Sequence, residues 1–450
     1  MTTNKTPEPA LRVAIVGAGW AGMAAAVDAV QKGHAVTVFE AAPQPGGRAR
    51  GVPLRLPDGR EVTVDNGQHI LIGAYTDCLH LMRTVGVDPA QALLRRPLAL
   101  TYPDGGGLAL PDWPAPWDAA GGILGARGWS WRDKRALLGA ALGWRRSGFQ
   151  CDAHTSVATL CAGLPPTLMR EFIEPLCVSA LNTPVDQASG RVFLRVLHDA
   201  LLGGRGSSHL LLPRVDLGTL FPRAAQHWIE ARGARVLTGH PVRALHWRPP
   251  HWVVDEQAFD RVVLATSAPH AAQIVSRSAP VAPVFIADEL RRWADQAIAL
   301  RHQAITTVYA QAAPAGPGKR LRHPMLALRH GPRAPAQFVF ELDAITATAP
   351  PTGLLAFVIS TSSDERAALQ TDVTAQAQAQ LGLAVTPLRT LTDRRATFAC
   401  TPALVRPAGQ IAAGLLAAGD YIAGPYPATL EGAVRSGLQA AGALGHGRAL

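Results

Sequence analysis

The residues in this chain best spaced for chemistry are Gly17, Ala18, Gly19, Trp20, Ala21 and Gly22, which fit the pattern G-x-G-x-x-G. The first glycine permits a tight turn, the second lets backbone approach a pyrophosphate, and the third lets a helix pack close to a strand. Glu40 follows Gly22 at close to the roughly twenty-residue spacing at which a carboxylate accepts hydrogen bonds from a ribose diol. A 2′-phosphate would meet that carboxylate with like charge, so the implied ligand carries an adenosine without one. Farther on, Gly46-Gly47-Arg48 joins a backbone that can come close to a ligand with an arginine able to reach the same pyrophosphate. Alone, that triplet reads as a surface turn with a solvated arginine.

Such a turn works only between a strand and a helix. Residues 13–16 are a short run dominated by β-branched side chains, 21–32 are alanine-rich, and 35–40 form a second apolar run ending on the acid. Gly33 stands where a helix-ending glycine belongs, which completes a βαβ unit. Residues 50–64 read as a hairpin turning at Pro57-Asp58-Gly59-Arg60, and 76–85 as a helix ending at Gly86.

With Ala417-Ala418-Gly419-Asp420 and Pro427-Ala428-Thr429-Leu430-Glu431-Gly432-Ala433 added, the chain resembles the two-dinucleotide-binding-domain flavoproteins. That superfamily holds amine oxidases, protoporphyrinogen oxidases and carotenoid desaturases. A narrower likeness lies in the run from Asp65-Asn66-Gly67-Gln68-His69 to Tyr75, in Pro175-Leu176-Cys177, in Ala180-Leu181-Asn182-Thr183-Pro184 and in Leu211-Leu212-Pro213-Arg214-Val215-Asp216. These segments are similar to the squalene-associated branch, the hydroxysqualene dehydroxylases.

The resemblance implies an α/β fold (α+β overall), a Rossmann-like two-dinucleotide-binding-domain flavoprotein with an interleaved substrate domain of mixed sheet and helices. It divides the chain into FAD-binding segments at 1–88, 205–275 and 400–450 and substrate-domain segments at 89–204 and 276–399. The implied cofactor is FAD, with NAD(P)H or a redox partner as electron source. Gln68 and His69 would border the flavin, although His69 is equally a structurally satisfied loop histidine. Val242 would contact the adenine through its backbone, and Asp420 would hold a ribityl or phosphate-linker oxygen. A helix starting near Thr429 would direct its positive end at the flavin pyrimidine edge.

The implied reaction is reductive dehydroxylation of hydroxysqualene to squalene in squalene and hopanoid biosynthesis, by hydride transfer from reduced flavin to an allylic cation. A donor must protonate the departing oxygen, and the site must be dry. His69 is the candidate, with Tyr75 and Tyr426 as alternatives. Rival activities are a carotenoid (phytoene-type) desaturase or a flavin amine oxidase, and, in another class, a non-catalytic prenyl-lipid binding escort. No H-E-x-x-H, nucleophile elbow or metal-ligand cluster is visible, so hydrolysis is unsupported and no metal is expected.

The 450 residues are 48% hydrophobic and 17% charged, which excludes a disordered chain. The net charge of +10 comes from scattered basic residues, nearly all arginine, with no dense tract to bind nucleic acid. Five cysteines without a C-x-x-C pattern read as reduced thiols, and the polar residues 1–10 are unlike a signal peptide, so a cytoplasmic location is expected. No run suggests a membrane-spanning helix. Residues 128–149 combine tryptophans and arginines around an Ala/Leu stretch. They read either as a helix for the inner face of the cytoplasmic membrane or as a core-covering helix with arginines on its wet face. An apolar isoprenoid substrate and contact with upstream squalene-pathway enzymes complete the expected partners.

Elsewhere, Trp113 and Trp117 are expected in a proline-rich loop, and 171–183 and 192–202 as helices whose Cys177, Asn182 and His198 line a pocket. Helix is expected at 217–232, 363–381 and 430–443. Strands are expected at 234–237, 242–247, 252–254, 261–265, 303–310, 325–328, 337–342, 354–360 and 415–418.

Overall fold

The computed structural model describes residues 10–312, 321–346, 352–362 and 365–446. The expectation for the first residues, and the start of the helix expected at 363, lie outside them. The organising element is a six-stranded sheet whose spatial order is Arg235–Leu237, Ala35–Phe39, Arg12–Val16, Arg261–Leu264, Leu415–Ala417 and Gln410–Ala412. The first five strands run parallel and the last is antiparallel. In such a sheet ligands bind beyond the carboxyl ends of the strands, here Phe39, Val16, Leu264 and Ala417. Parts of the chain far apart in sequence therefore deliver their loops to one edge.

Two helices press on this sheet and on each other. Trp20–Gln31 is buried along most of its length because alanines let it lie close, and it crosses the terminal helix Leu430–Gly442. At that crossing a Cβ on Gly437 would stand 2.2 Å from the Ala21 carbonyl oxygen, so only hydrogen fits. The turn is equally tight: a Cβ on Gly22 would stand 1.9 Å from the Gly17 carbonyl oxygen. Gly17 has φ +110°, a region that side chains other than hydrogen rarely tolerate.

A second, five-stranded antiparallel sheet has the order Met325–Ala327, Phe338–Glu341, Leu354–Ser360, His302–Ala312 and Val385–Phe398. One of its faces, carrying Val308, Leu326, Val339, Phe357 and Ile359, packs on the helix Arg366–Leu381 through Leu369, Val373 and Ala377. By the alternation of a strand, the other face carries Met325, Phe338, Phe340 and Val358. Its longest strand, Val385–Phe398, was not among the expected ones. Pro387 argues against a strand by pattern, yet it is accommodated where the register with Tyr309 and Ala310 shifts.

Other expectations need correction. The helix expected at 217–232 is two pieces, Leu217–Leu220 and Pro222–Glu230: Pro222 has no N–H to carry the ladder across the join, and Phe221 leaves helical geometry with φ −145°. Residues 242–245 form no strand; Pro241 lacks an N–H for a ladder, and the regular strand is His246–Arg248. Trp117 opens the helix Trp117–Gly125 instead of lying in a loop. The helix expected from 171 begins as π-helix, Met169–Ile173, continues as Glu174–Leu181, and stops at Asn182, whose φ of +44° ends it. The helices Ala268–Ser278 and Val284–Ile298 had no counterpart in the sequence reading. All five cysteines are free thiols. Among the described residues no helix is long and apolar enough to cross a membrane, and no cluster of metal-ligating side chains forms.

The crossing at Gly437 yields a test. Gly437→Ala should lower unfolding free energy by about 1–3 kcal/mol, the usual cost of overfilling a packed interior. Chemical denaturation of the variant against the parent chain measures it.

Candidate active site

A cavity of about 1270 Å³ opens at the carboxyl edge of the parallel sheet. Single small-ligand sites span roughly 300–1,000 Å³, so the space suits more than one bound group. The glycine turn contributes Gly17, Gly19, Trp20 and Ala21 to its wall. A Cβ on Gly19 would meet nothing within 4 Å, so this residue faces open space where its neighbours face backbone. No side chain caps the helix that begins there, which leaves its first N–H groups for an anion. Ala18 and Gly22 stand behind the wall: Ala18 N–H donates to Glu40 Oε2 at 2.6 Å, and Gly22 carries the close packing described above.

Glu40 itself is buried at the end of its strand and lines the cavity. Its second oxygen, Oε1, accepts from Ala42 N–H at 2.8 Å. Each carboxylate oxygen keeps lone-pair capacity for a ribose hydroxyl. Gly46 N–H donates to the Ala18 carbonyl at 2.9 Å, which fastens the Gly46-Gly47 loop to the turn.

Arg48, expected near a pyrophosphate, lines the cavity, and its guanidinium is held within the chain. Nη2 donates to Asp420 Oδ1 at 2.5 Å, and Nη1 donates to the Ala396 carbonyl at 2.8 Å. The physical reason is Asp420: a nearly buried carboxylate needs a cation, and Arg48 is the one beside it. That carboxylate in turn raises the Arg48 pKa above its ordinary value. Both side chains, with Gly47 and Gly419, remain on the cavity wall.

Gln68 and His69 line the same space. His69 Nδ1 lies 2.5 Å from the Gly67 carbonyl oxygen, so Nδ1 carries the proton and Nε2 is left as the reactive nitrogen. Burial lowers the His69 pKa below its ordinary value, against a smaller raising effect from the Gly67 contact, and the ring is neutral at neutral pH. Tyr75 and Tyr426 also line the cavity; burial raises both phenols, so each keeps its proton at neutral pH.

Val242 is buried on the wall beside Arg243, in irregular backbone tied down where Leu245 N–H donates to Ser278 Oγ at 2.8 Å. Thr429 caps the terminal helix by accepting from Gly432 N–H at 2.9 Å, and the helix start faces the cavity through Thr429 and Leu430. These residues fit a dinucleotide: an uncapped helix start, an open position at Gly19, and a buried acid with spare acceptor capacity.

Another part of the wall is apolar. Leu176, Val192 and Val196 come from helices, Leu98, Leu100 and Leu210 from short strands and their flanks, and the second sheet adds the face bearing Phe338 and Phe340. The pocket expected from Cys177, Asn182 and His198 is only partly there. Asn182 lines the cavity but is held by Thr397 Oγ1 at 2.9 Å and Thr361 N–H at 3.0 Å. Cys177 is fully buried away from it, and His198 turns outward to pair with Asp199. Their neighbours Leu176 and Asp199 occupy the wall instead.

Sequence reasoning missed two contributors. The strand Val385–Phe398 supplies residues 392–397 to the wall and the carbonyls that hold Arg48; its threonine-rich alternation was the available signal. The helix Ala268–Ser278 supplies His270, Gln273, Ile274 and Arg277.

The family described as flavin containing amine oxidoreductase matches residues 20–445 of this chain. A hydroxysqualene dehydroxylase of Sinorhizobium fredii is 27% identical over 245 residues, which are 52% of this chain and 54% of that protein. One of Rhodopseudomonas palustris is 27% identical over 255 residues, with the same shares. The match thus spans about half the length of these curated relatives. In fold, the chain is similar to an oxidoreductase from Methanosarcina mazei, with a TM-score of 0.71 at 16% identity, covering 95% of this chain and 99% of that one.

Two measurements follow. Arg48→Met strips Asp420 of its cation and should weaken flavin retention by on the order of tenfold, the worth of one charge-assisted hydrogen bond. Flavin absorbance of the purified variant reads it. Asp65, at the root of the Gln68 and His69 segment, accepts from Leu217 N–H at 2.8 Å, and burial pushes its pKa up to about 8. A folded pKa above the unfolded one stabilises fully below about pH 4 and is lost as pH rises through about 8. Relative to Asp65→Asn, the parent chain should lose melting temperature between about pH 5 and about pH 8.5.

Proposed function

We propose, from the premise that the chain belongs to the flavin containing amine oxidoreductase family and is an FAD-dependent oxidoreductase, that it reductively removes the hydroxyl of hydroxysqualene to give squalene. One observation carries the reading: the cavity bordered by the dinucleotide-holding turn is also walled by Leu98, Leu100, Leu176, Phe338 and Phe340. Such a wall suits a long polyisoprenoid. It suits a cationic amine less well, because two of the carboxylates along it are already paired with cations, Asp420 with Arg48 and Asp199 with Arg195. The hydroxysqualene dehydroxylases among its relatives support the same reading.

When bound, reduced flavin supplies the two electrons and the hydrogen that take the place of the departing hydroxyl. The chain's own residues do the rest. Glycine turn, Glu40 and the backbone at Val242 orient the adenosine diphosphate moiety, while the apolar wall keeps water from an allylic cation formed as the carbon–oxygen bond breaks. His69 offers Nε2 to the leaving oxygen and can donate from it only when the ring is doubly protonated. Reducing equivalents would come from NAD(P)H or a redox partner.

The test is anaerobic mixing of photoreduced holoenzyme with hydroxysqualene. Squalene should form as the flavin is reoxidised; bleaching of oxidised flavin by a polyene or an amine, with hydroxysqualene inert, would contradict the reading. If His69 is the donor, turnover should fall as pH rises through a pKa below the ordinary 6.5 or so, and His69→Gln should lose that limb. A profile flat through that region, unchanged in the variant, assigns the proton to Tyr75 or Tyr426.

A further inference from the structure

The helix Trp131–Arg146 covers little of the core: Asp133 and Leu137 are its buried residues. Of the tryptophans around it, Trp129 turns inward, edge-on to Phe172 with centroids 5.8 Å apart, and Trp144 is half-buried. Trp131, at the first turn, is 67% exposed. It does not stand alone. On the neighbouring helix Trp117–Gly125, Trp117, Gly121 and Leu124 share one face by helical spacing, and Trp117 and Leu124 are 69% and 48% exposed. Trp113 lies over that face, since a Cβ on Gly121 would come 2.5 Å from its ring, and it too is mostly exposed. Lys134 joins the two helices by donating to the Leu124 carbonyl at 2.8 Å, with its ammonium 5.2 Å from the Trp131 ring centroid. Trp113, Trp117, Leu124 and Trp131 therefore form one apolar, indole-rich surface.

Its charge is of one sign. Arg132, Arg135, Arg145 and Arg146 are exposed and have no acidic partner among the described residues. The nearby acids are buried, as Asp118 and Asp133 are, or, as Asp112 is, close to Arg205 and His209. Indoles flanked by unpaired arginines match the interfacial zone of an anionic bilayer, where the ring sits at headgroup depth and the guanidinium meets phosphate. A second exposed apolar group, Val281, Val284 and Phe285 with Ile298, is flanked by exposed Asp288, Glu289 and Asp295 as well as Arg291 and Arg292, with Asp288 paired to Arg291, so it has no excess of unpaired cations for that partner. The indole surface also adjoins the cavity: Asp118, on the same helix as Trp117, lies 3.5 Å from the hydroxyl of Ser208, a residue of the cavity wall.

We infer that this chain docks on an anionic lipid surface through Trp113, Trp117, Leu124 and Trp131, with the arginines of the helix Trp131–Arg146 reading the headgroups. That the docked face adjoins an apolar cavity explains delivery of a substrate only if the proposed polyisoprenoid substrate is right; the lipid contact itself does not depend on it.

Cosedimentation of the flavin-loaded full chain with phosphatidylcholine vesicles, with and without phosphatidylglycerol, tests the inference without any substrate. The chain should partition to the phosphatidylglycerol vesicles, and Trp117→Asp with Trp131→Asp should reduce that partition by on the order of tenfold, as should Arg132→Glu with Arg135→Glu. Flavin content and melting temperature should be unchanged, because these side chains are exposed; brominated lipid in the same vesicles should quench the indole fluorescence of the unmutated chain. Val284→Asp with Phe285→Asp should leave binding intact. No preference for phosphatidylglycerol, full binding by the tryptophan pair variant, loss confined to the Val284 and Phe285 variant, or a vesicle-free dimer that the tryptophan pair abolishes would each overturn the inference.

Discussion

The pair between Arg48 and Asp420 is the contact on which the site depends. Its members are 372 positions apart, and the same guanidinium also holds the Ala396 carbonyl of the second sheet. A carboxylate that is only 7% exposed keeps its charge cheaply only beside a cation with good hydrogen-bond geometry. Satisfying Asp420 therefore brings the Gly46-Gly47 loop, the end of the strand Leu415–Ala417 and the strand Val385–Phe398 to one place. That place is the carboxyl edge of the parallel sheet, where the first helix offers its uncapped start.

Around this junction the chain sets two kinds of surface side by side. Backbone N–H groups, Glu40 and the Thr429 helix start give one part of the cavity a polar wall, whereas Phe338, Phe340, Leu98 and Leu100 present nothing but hydrocarbon. Their adjacency is what the proposed reaction requires, a redox cofactor beside an apolar substrate with water excluded. His69 lines the same cavity, with one ring nitrogen fixed by Gly67 and burial lowering its affinity for a second proton.

What could be read in advance follows the range over which each effect acts. Gly17 to Glu40 was legible because turn, helix and acid are set by local backbone demands, and the structure returns strand, helix and strand there. The break at Phe221 and Pro222 was missed: the proline marks it, but the apolar periodicity around it reads as one helix. The engagement of Arg48 was not legible: no local feature says that a partner 372 positions away will hold it. Nor was the outward turn of His198 or the inward turn of Trp129, because rotation of a helix about its axis is decided by what packs against it. The strand Val385–Phe398 was hidden by Pro387, which only a register shift in its partner makes tolerable.

The central claim is that a flavin and an apolar chain lie against each other within one cavity. The most direct measurement is the visible absorption of the oxidised holoenzyme while squalene is added in detergent. Binding beside the ring should displace water from it and give a saturable shift and sharpening of the flavin bands. Squalene that binds with no change in those bands, or equally well to protein freed of flavin with its cavity blocked by bulky substitutions at Phe338 and Phe340, would contradict the account.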